Sequence, residues 1–181
     1  GRIDQDSALL TLAGEAYLQQ GESNKAAEYF AKASKLEPEN AAKKTSLALA
    51  HMAQGNSESA FQELEQISVT DKGITADLAL IAAHLRNNQL EKALKALDGL
   101  EKKQPNNPAT HNLRARALLA KKDVAGARQS FEKAVSINPI FFPAVASLAT
   151  LDLLDKKPDD ARKRFEAVIS ADPKNMQALL A

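Results

Sequence analysis

The chain has 181 residues, and 24 Lys and Arg against 23 Asp and Glu leave a formal net charge of +1. Ala fills 34 positions and Leu 24, Trp and Cys are absent and aromatics make up 4%, a composition suited to closely packed helices and poor for a sheet. It excludes disulfides, cysteine nucleophiles and thiolate metal sites, gives no basic footprint for nucleic acid, and holds no run near the roughly 18 apolar residues of a membrane span. Leu9, Leu12, Ala13, Ala16 and Tyr17 recur at helical spacing, and beyond Gly21 so do Ala26, Ala27, Phe30 and Ala33, up to Pro38. The opening segment therefore reads as a helix, a turn and a second helix. Gly21 admits the left-handed backbone that ends a first helix. Pro38 ends the second, because it has no amide proton and restricts the residue before it.

The same hairpin recurs along the chain. Ala26, Ala60, Ala93, Ala127 and Ala161 are spaced 34, 33, 34 and 34 apart, each followed four residues on by Phe30, Leu64, Leu97, Phe131 or Phe165. Proline follows at 38, 105, 139 and 173, whereas the second unit has Lys72 there, is one residue short and exits through Thr70, Asp71, Lys72 and Gly73. The pattern predicts one array over 1–181, with units at about 7–40, 41–73, 74–107, 108–141 and 142–175 and the start of a sixth at 176–181. Gly55 and Asn88 stand where Gly21 does and suit the same turn. Lys122 and Lys156 replace them later, which predicts either a small strain or a different turn. The small Ala lets the second helix approach its partner, and the large residue one turn on fills the gap between hairpins.

Leu10, Ala13, Gly14, Tyr17, Gly21, Ala26, Phe30, Ala33 and Pro38 together resemble the signature of the tetratricopeptide repeat (TPR) family. The resemblance implies an all-α TPR solenoid, a right-handed superhelix of helix-turn-helix hairpins. His51, His84, Leu118 and Asp152 depart from the family's Tyr. The stretches ADLALIAAHLRNNQLEKALKAL, LEKKQPNNPATHNL and FFPAVASLATLDLLDKKPDDARKRFEAVISADPKNMQALLA are also similar to TPR lipoproteins that accompany bacterial exosortase and PEP-CTERM protein sorting and exopolysaccharide production. That likeness implies an internal fragment of a lipid-tethered array facing the periplasm of the bacterial envelope. Without it the cytoplasm is the expected setting.

No catalytic constellation is legible. His51 and His84 share one internal repeat position, which favours packing over metal binding for them, and neither they nor His111 fall in a metal-ligand spacing. The seven Gly are scattered singly, so no phosphate loop is expected, and Ser and Thr lack a partnered His. Asp159 and Asp160 begin a second helix, where carboxylates suit the amide-rich terminus. Lys121, Lys122, Arg128 and Lys133, and Arg162, Lys163 and Arg164, are interleaved with acids and read as solvated faces. The expectation is a protein that is not an enzyme and uses no cofactor, metal or nucleic acid.

The family grips an extended peptide or helix on the face lined by the first helix of each hairpin. The matching positions are Thr11, Glu15 and Gln19, then Thr45 and Leu49, then Leu78, Ala82 and Arg86, then Asn112 and Arg116, then Ala146 and Thr150. Spacings of four place each set on one helix face. Arg86, Asn112 and Arg116 are the polar handles of a groove otherwise small and rather apolar. Thr11, Thr45 and Leu78 stand where some members carry the Lys of a carboxylate clamp, which disfavours a chaperone-tail ligand. Arg116 with Asn112 either takes a carboxylate or pairs with nearby acids.

Elsewhere the junctions between units are polar, as at Glu39-Asn40, Asn106-Asn107 and Lys174-Asn175, but the fourth reads Ile140-Phe141-Phe142 before Pro143. Those three side chains either anchor a partner or fold back between hairpins. Gly1 to Asp6 is too short for a hairpin and no polar cap closes the array, so the apolar face of the fifth unit is expected to be partly uncovered, with end-to-end self-association as its consequence. The leading expectation is a non-catalytic scaffold for protein-protein interaction. A structural spacer that binds nothing tightly, and polysaccharide binding by the groove, are the alternatives.

Overall fold

The structure is a computed structural model that describes residues 5–180; residues 1–4 and 181, which carry part of the expectations for the two ends, lie outside it. Every element among the described residues is an α-helix. In chain order they are α1 (Ser7–Gln19), α2 (Ser23–Leu36), α3 (Ala41–Ala53), α4 (Ser57–Thr70), α5 (Thr75–Arg86), α6 (Leu90–Lys103), α7 (Pro108–Ala120), α8 (Val124–Ile137), α9 (Phe142–Leu154), α10 (Pro158–Ala171) and α11 (Met176–Leu179). The chain divides into two compact units, Gly1–Asn87 and Asn88–Ala181. In the first, each of α1 to α4 packs on the next, and α3 also meets α5. In the second, α6 to α11 likewise pack successively.

Three local devices set the hairpins. Four first helices, α1, α3, α7 and α11, start from side-chain caps: Asp6 accepts from the amides of Ala8 (2.9 Å) and Leu9 (3.1 Å), Asn40 from Ala42 (3.1 Å), Asn107 from Ala109 (2.9 Å) and Asn175 from Ala178 (3.1 Å). Each cap satisfies amides that the helix cannot. The first helices then end in a left-handed residue: Gly21 (φ 78°), Gly55 (95°), Asn88 (55°), Lys122 (67°) and Lys156 (60°). The lysines therefore make the same turn as the glycines and carry its strain, rather than a different turn. The backbone closes alike in four hairpins: Glu22 donates to Tyr17 (2.9 Å), Asn56 to His51 (3.0 Å), Asp123 to Leu118 (2.9 Å) and Lys157 to Asp152 (2.9 Å). This is the six-to-one bond of a Schellman ending.

The third device is small-to-large packing. Ala26, Ala60, Ala127 and their neighbours Phe30, Leu64 and Phe131 are almost fully buried. Gly14 on α1 lets the Phe30 ring sit so close that an added Cβ would lie 2.7 Å from it. At the end of the second unit, Ala178 of α11 covers Val168, while Met176, Leu179 and Leu180 stay exposed.

Candidate partner-binding faces

In the first unit α1 presents Glu15 and Gln19 to solvent, with Thr11 half-buried and its hydroxyl donating to the Ser7 carbonyl (2.8 Å). Leu49 on α3 is half-buried, and Leu78, Ala82 and Arg86 on α5 are exposed. Thr45 does not belong to such a face. It is 1% exposed and its hydroxyl donates to the Ala41 carbonyl (2.8 Å), so neighbouring helices cover it and its own helix satisfies it. Leu49 and Arg86 come together with Leu18, Met52, Ala83 and Asn87 around a hollow of about 470 Å³.

In the second unit Arg116 on α7 is exposed and makes no ion pair with any described residue. The acids go instead to Arg114, which donates to Asp98 (2.6 Å) and Glu101 (2.8 Å). Two residues along a helix rotate by about 200°, so Arg114 and Arg116 sit on opposite sides of α7. Asn112, one turn before Arg116, has its side-chain oxygen buried without a hydrogen-bond partner. On α9 Ala146 is half-buried and Thr150 exposed, its hydroxyl donating to the Ala146 carbonyl (2.9 Å). Thr150 borders a second hollow, of about 460 Å³, with Leu119, Val124, Leu151 and Leu154.

The apolar junction is mostly core. Phe141 takes the place that Asn40, Asn107 and Asn175 hold as helix caps, makes no side-chain cap, and packs against the cluster of Phe131, Leu148 and Leu151. Phe142 packs by Val145 and Val168, its ring 6.0 Å from that of Phe165. Only Ile140 is left exposed, at 38%, and a single exposed Ile is ordinary surface. Of the two alternatives for this junction, Phe141 and Phe142 are half-buried between hairpins, and Phe141 stands where other junctions have a polar cap.

Several charged arrangements were not legible as sites. Residues twelve apart face each other across a hairpin: Tyr17 stacks on Tyr29 (5.3 Å), His51 bonds Glu63 (3.1 Å), and Asp152 meets Arg164 (2.5 Å). Each pair is chemically matched, and reading the Tyr-equivalent position together with its partner twelve residues on would have found them. Asp152 is buried and also accepts from Arg128 (2.6 Å), which reaches Asp155 (2.8 Å). Burial pushes the Asp152 carboxyl up, but the bonds from Arg164 and Arg128 outweigh it and its pKa lies below the ordinary value. Arg128 and Arg164, expected on solvated faces, are thus pinned. His84 is buried and stacked on Phe61 (4.4 Å between ring centroids). His111 is held by Glu101 (2.8 Å) and the Pro105 carbonyl (3.0 Å). Among the described residues no cluster of His, Asp and Glu has the makings of a metal site.

Successive helical hairpins of one period, with cations and apolar hollows on the first-helix faces, define a repeat protein of the interaction-scaffold class. The chain belongs to the tetratricopeptide repeat family, whose profiles match residues 11–72 and 78–139, and 118–181. Members of this family bind protein partners. Among solved structures, MamA from Desulfovibrio magneticus is 16% identical, covering 94% of this chain and 97% of that one at a TM-score of 0.66. A tetratricopeptide repeat protein from Parabacteroides merdae is 22% identical, covering 95% and 69% at 0.65. The C-terminal part of a TPR protein from Cytophaga hutchinsonii is 19% identical, covering 96% and 72% at 0.68. These likenesses are of fold. No curated protein matches the chain.

Proposed function

We propose that this chain is a non-catalytic scaffold that binds an extended peptide or a helix of a partner protein on its first-helix faces. One observation carries the reading. Arg86 in the first unit and Arg116 in the second are exposed cations without an ion-pair partner among the described residues, whereas Arg114, Arg128 and Arg164 are held by acids. Cations left unpaired, Arg86 near half-buried Leu49 in the first unit and Arg116 near half-buried Asn112 in the second, suit a ligand with both apolar and acidic groups. Affinity would come from several modest contacts along a pre-formed surface.

The setting proposed with it is the bacterial envelope, in surface-protein sorting or exopolysaccharide production. Its support is the sequence likeness to exosortase-associated TPR lipoproteins alone. Fractionation of the source cells tests it directly, and recovery in the cytoplasmic fraction would refute it. For recognition itself, the chain, Arg86→Glu and Arg116→Glu are used as baits against a solubilised extract, read by quantitative mass spectrometry. Proteins captured by the chain and lost with either arginine variant are expected. Capture equal to that of an unrelated TPR bait would sink the reading and leave a spacer in its place.

A further inference from the structure

The two hollows are built from repeat-equivalent positions. Met52 and Ser57 of the second repeat, with Ala83, Arg86 and Asn87 of the third, border the first. Two repeats further along the chain, Leu119 and Val124, with Leu151, Leu154 and Asp155, border the second. One kind of seat thus recurs, at the end of a first helix and against the next first helix, with different chemistry in each copy. In the second unit Leu154 stands at the place of Arg86, and the only charge on the rim, Asp155, is already bonded to Arg128 (2.8 Å). That copy is apolar with its charge spent. In the first unit the only charge on the rim is the Arg86 guanidinium, which is exposed, pairs with no described residue and has no acid among the lining residues.

Arg86 closes the last turn of α5, where a cation is favoured by the helix carbonyls, but those carbonyls do not use up its fork of donors. Beneath it Leu18, Leu49 and Met52 give an apolar floor, and about 470 Å³ is room for one large side chain and part of its neighbour. We propose that the Arg86 hollow is a seat for a peptide segment with a bulky apolar side chain beside a carboxylate, the side chain on the Leu18, Leu49 and Met52 floor and the carboxylate on Arg86. The carboxylate is that of an Asp or Glu within a residue or two, or the chain terminus. This rests on the scaffold reading and gives it a ligand chemistry. It places an acidic preference at the Arg86 hollow of the first unit.

The test is selection of random linear peptides displayed on phage against the full chain. Enriched peptides are then titrated by fluorescence polarisation against the chain, Arg86→Glu, Arg86→Ala and Arg116→Glu. Circular dichroism checks that these exposed-site variants keep their helices. Enriched peptides are expected to pair a large apolar residue with an acidic one and to weaken about ten-fold or more on Arg86→Glu and less on Arg86→Ala. Selection on Arg86→Glu itself is expected to exchange the acidic residue for Lys or Arg. Enriched peptides that lack an acid, or that bind Arg86→Glu as well as the chain, overturn the seat. If such peptides are weakened by Arg116→Glu, peptide recognition stands and only the seat falls. No enrichment over an unrelated helical protein overturns both.

Discussion

Asp152 occupies the position that Tyr17 holds in the first repeat, yet it is almost as buried as the apolar core around it. A carboxylate tolerates that site only because Arg164 and Arg128 supply bonds to both its oxygens. Removing the charge leaves two guanidiniums that can still reach water, so the loss is that of the charged hydrogen bonds. Asp152→Asn is expected to cost about 1 to 3 kcal/mol in urea denaturation. Asp155→Asn, which removes only the exposed end of the network, is expected to stay within about 0.5 kcal/mol. Equal costs would show that the network does not centre on Asp152. Glu37 gives a second residue-scale test. Bonds from Lys43, Ser7 and Asn40 hold its carboxyl at about 2, against an ordinary 4.5. A depressed value means that its contribution is fully present above the ordinary pKa and is lost as pH falls from there through about 2. The gap in urea midpoint between the chain and Glu37→Gln should therefore be constant above that window and close within it. A gap that widens on acidification would contradict the bonding seen at Ser7 and Lys43.

At the scale of elements, the hairpin turns separate what composition favours from what the fold imposes. Gly21 and Gly55 take positive φ without cost, but Lys122 and Lys156 take it against their Cβ, and neither lysine makes an ion pair with a described residue in return. Lys122→Gly and Lys156→Gly are each expected to raise stability by up to about 1 kcal/mol in thermal unfolding. An unchanged or lower midpoint would mean that the glycine's extra freedom in the unfolded chain cancels the strain relieved. Gly14→Ala runs the other way. Its Cβ would meet the Phe30 ring at 2.7 Å, and overpacking of about 1 to 3 kcal/mol is set against a helix-propensity gain of about 1 kcal/mol. A net loss is the expected result. The hairpins themselves were legible in the sequence because the period, the Gly or Asn of the turn and the small Ala all agree. Phe141 was not: a Phe where three other junctions carry an Asn cap reads equally as exposed anchor or as core. Only the packing on Phe131 and Leu148 decides it.

For the molecule as a whole, repeat sequences expose the architecture and hide the wiring. Which of two arginines on α7 is paired depends on acids at 98 and 101 of another helix, and nothing in the repeat signature encodes that. For the same reason Thr45 passed as a groove residue until its burial was visible. The wiring is nevertheless local, because each helix gains its burial from its immediate neighbours. The first unit buries Leu10, Phe30, Leu64 and Leu80, and the second Leu97, Phe131, Leu148 and Val168. Segments 5–87 and 88–180, produced separately, are each expected to show a helical circular dichroism spectrum and a single cooperative melt. A gradual, featureless melt of either would show that its core does not suffice alone. Segment 5–87 also holds every residue of the Arg86 hollow. If it folds, it should bind the selected acidic peptides with the affinity of the full chain, since every residue that lines the hollow lies within it.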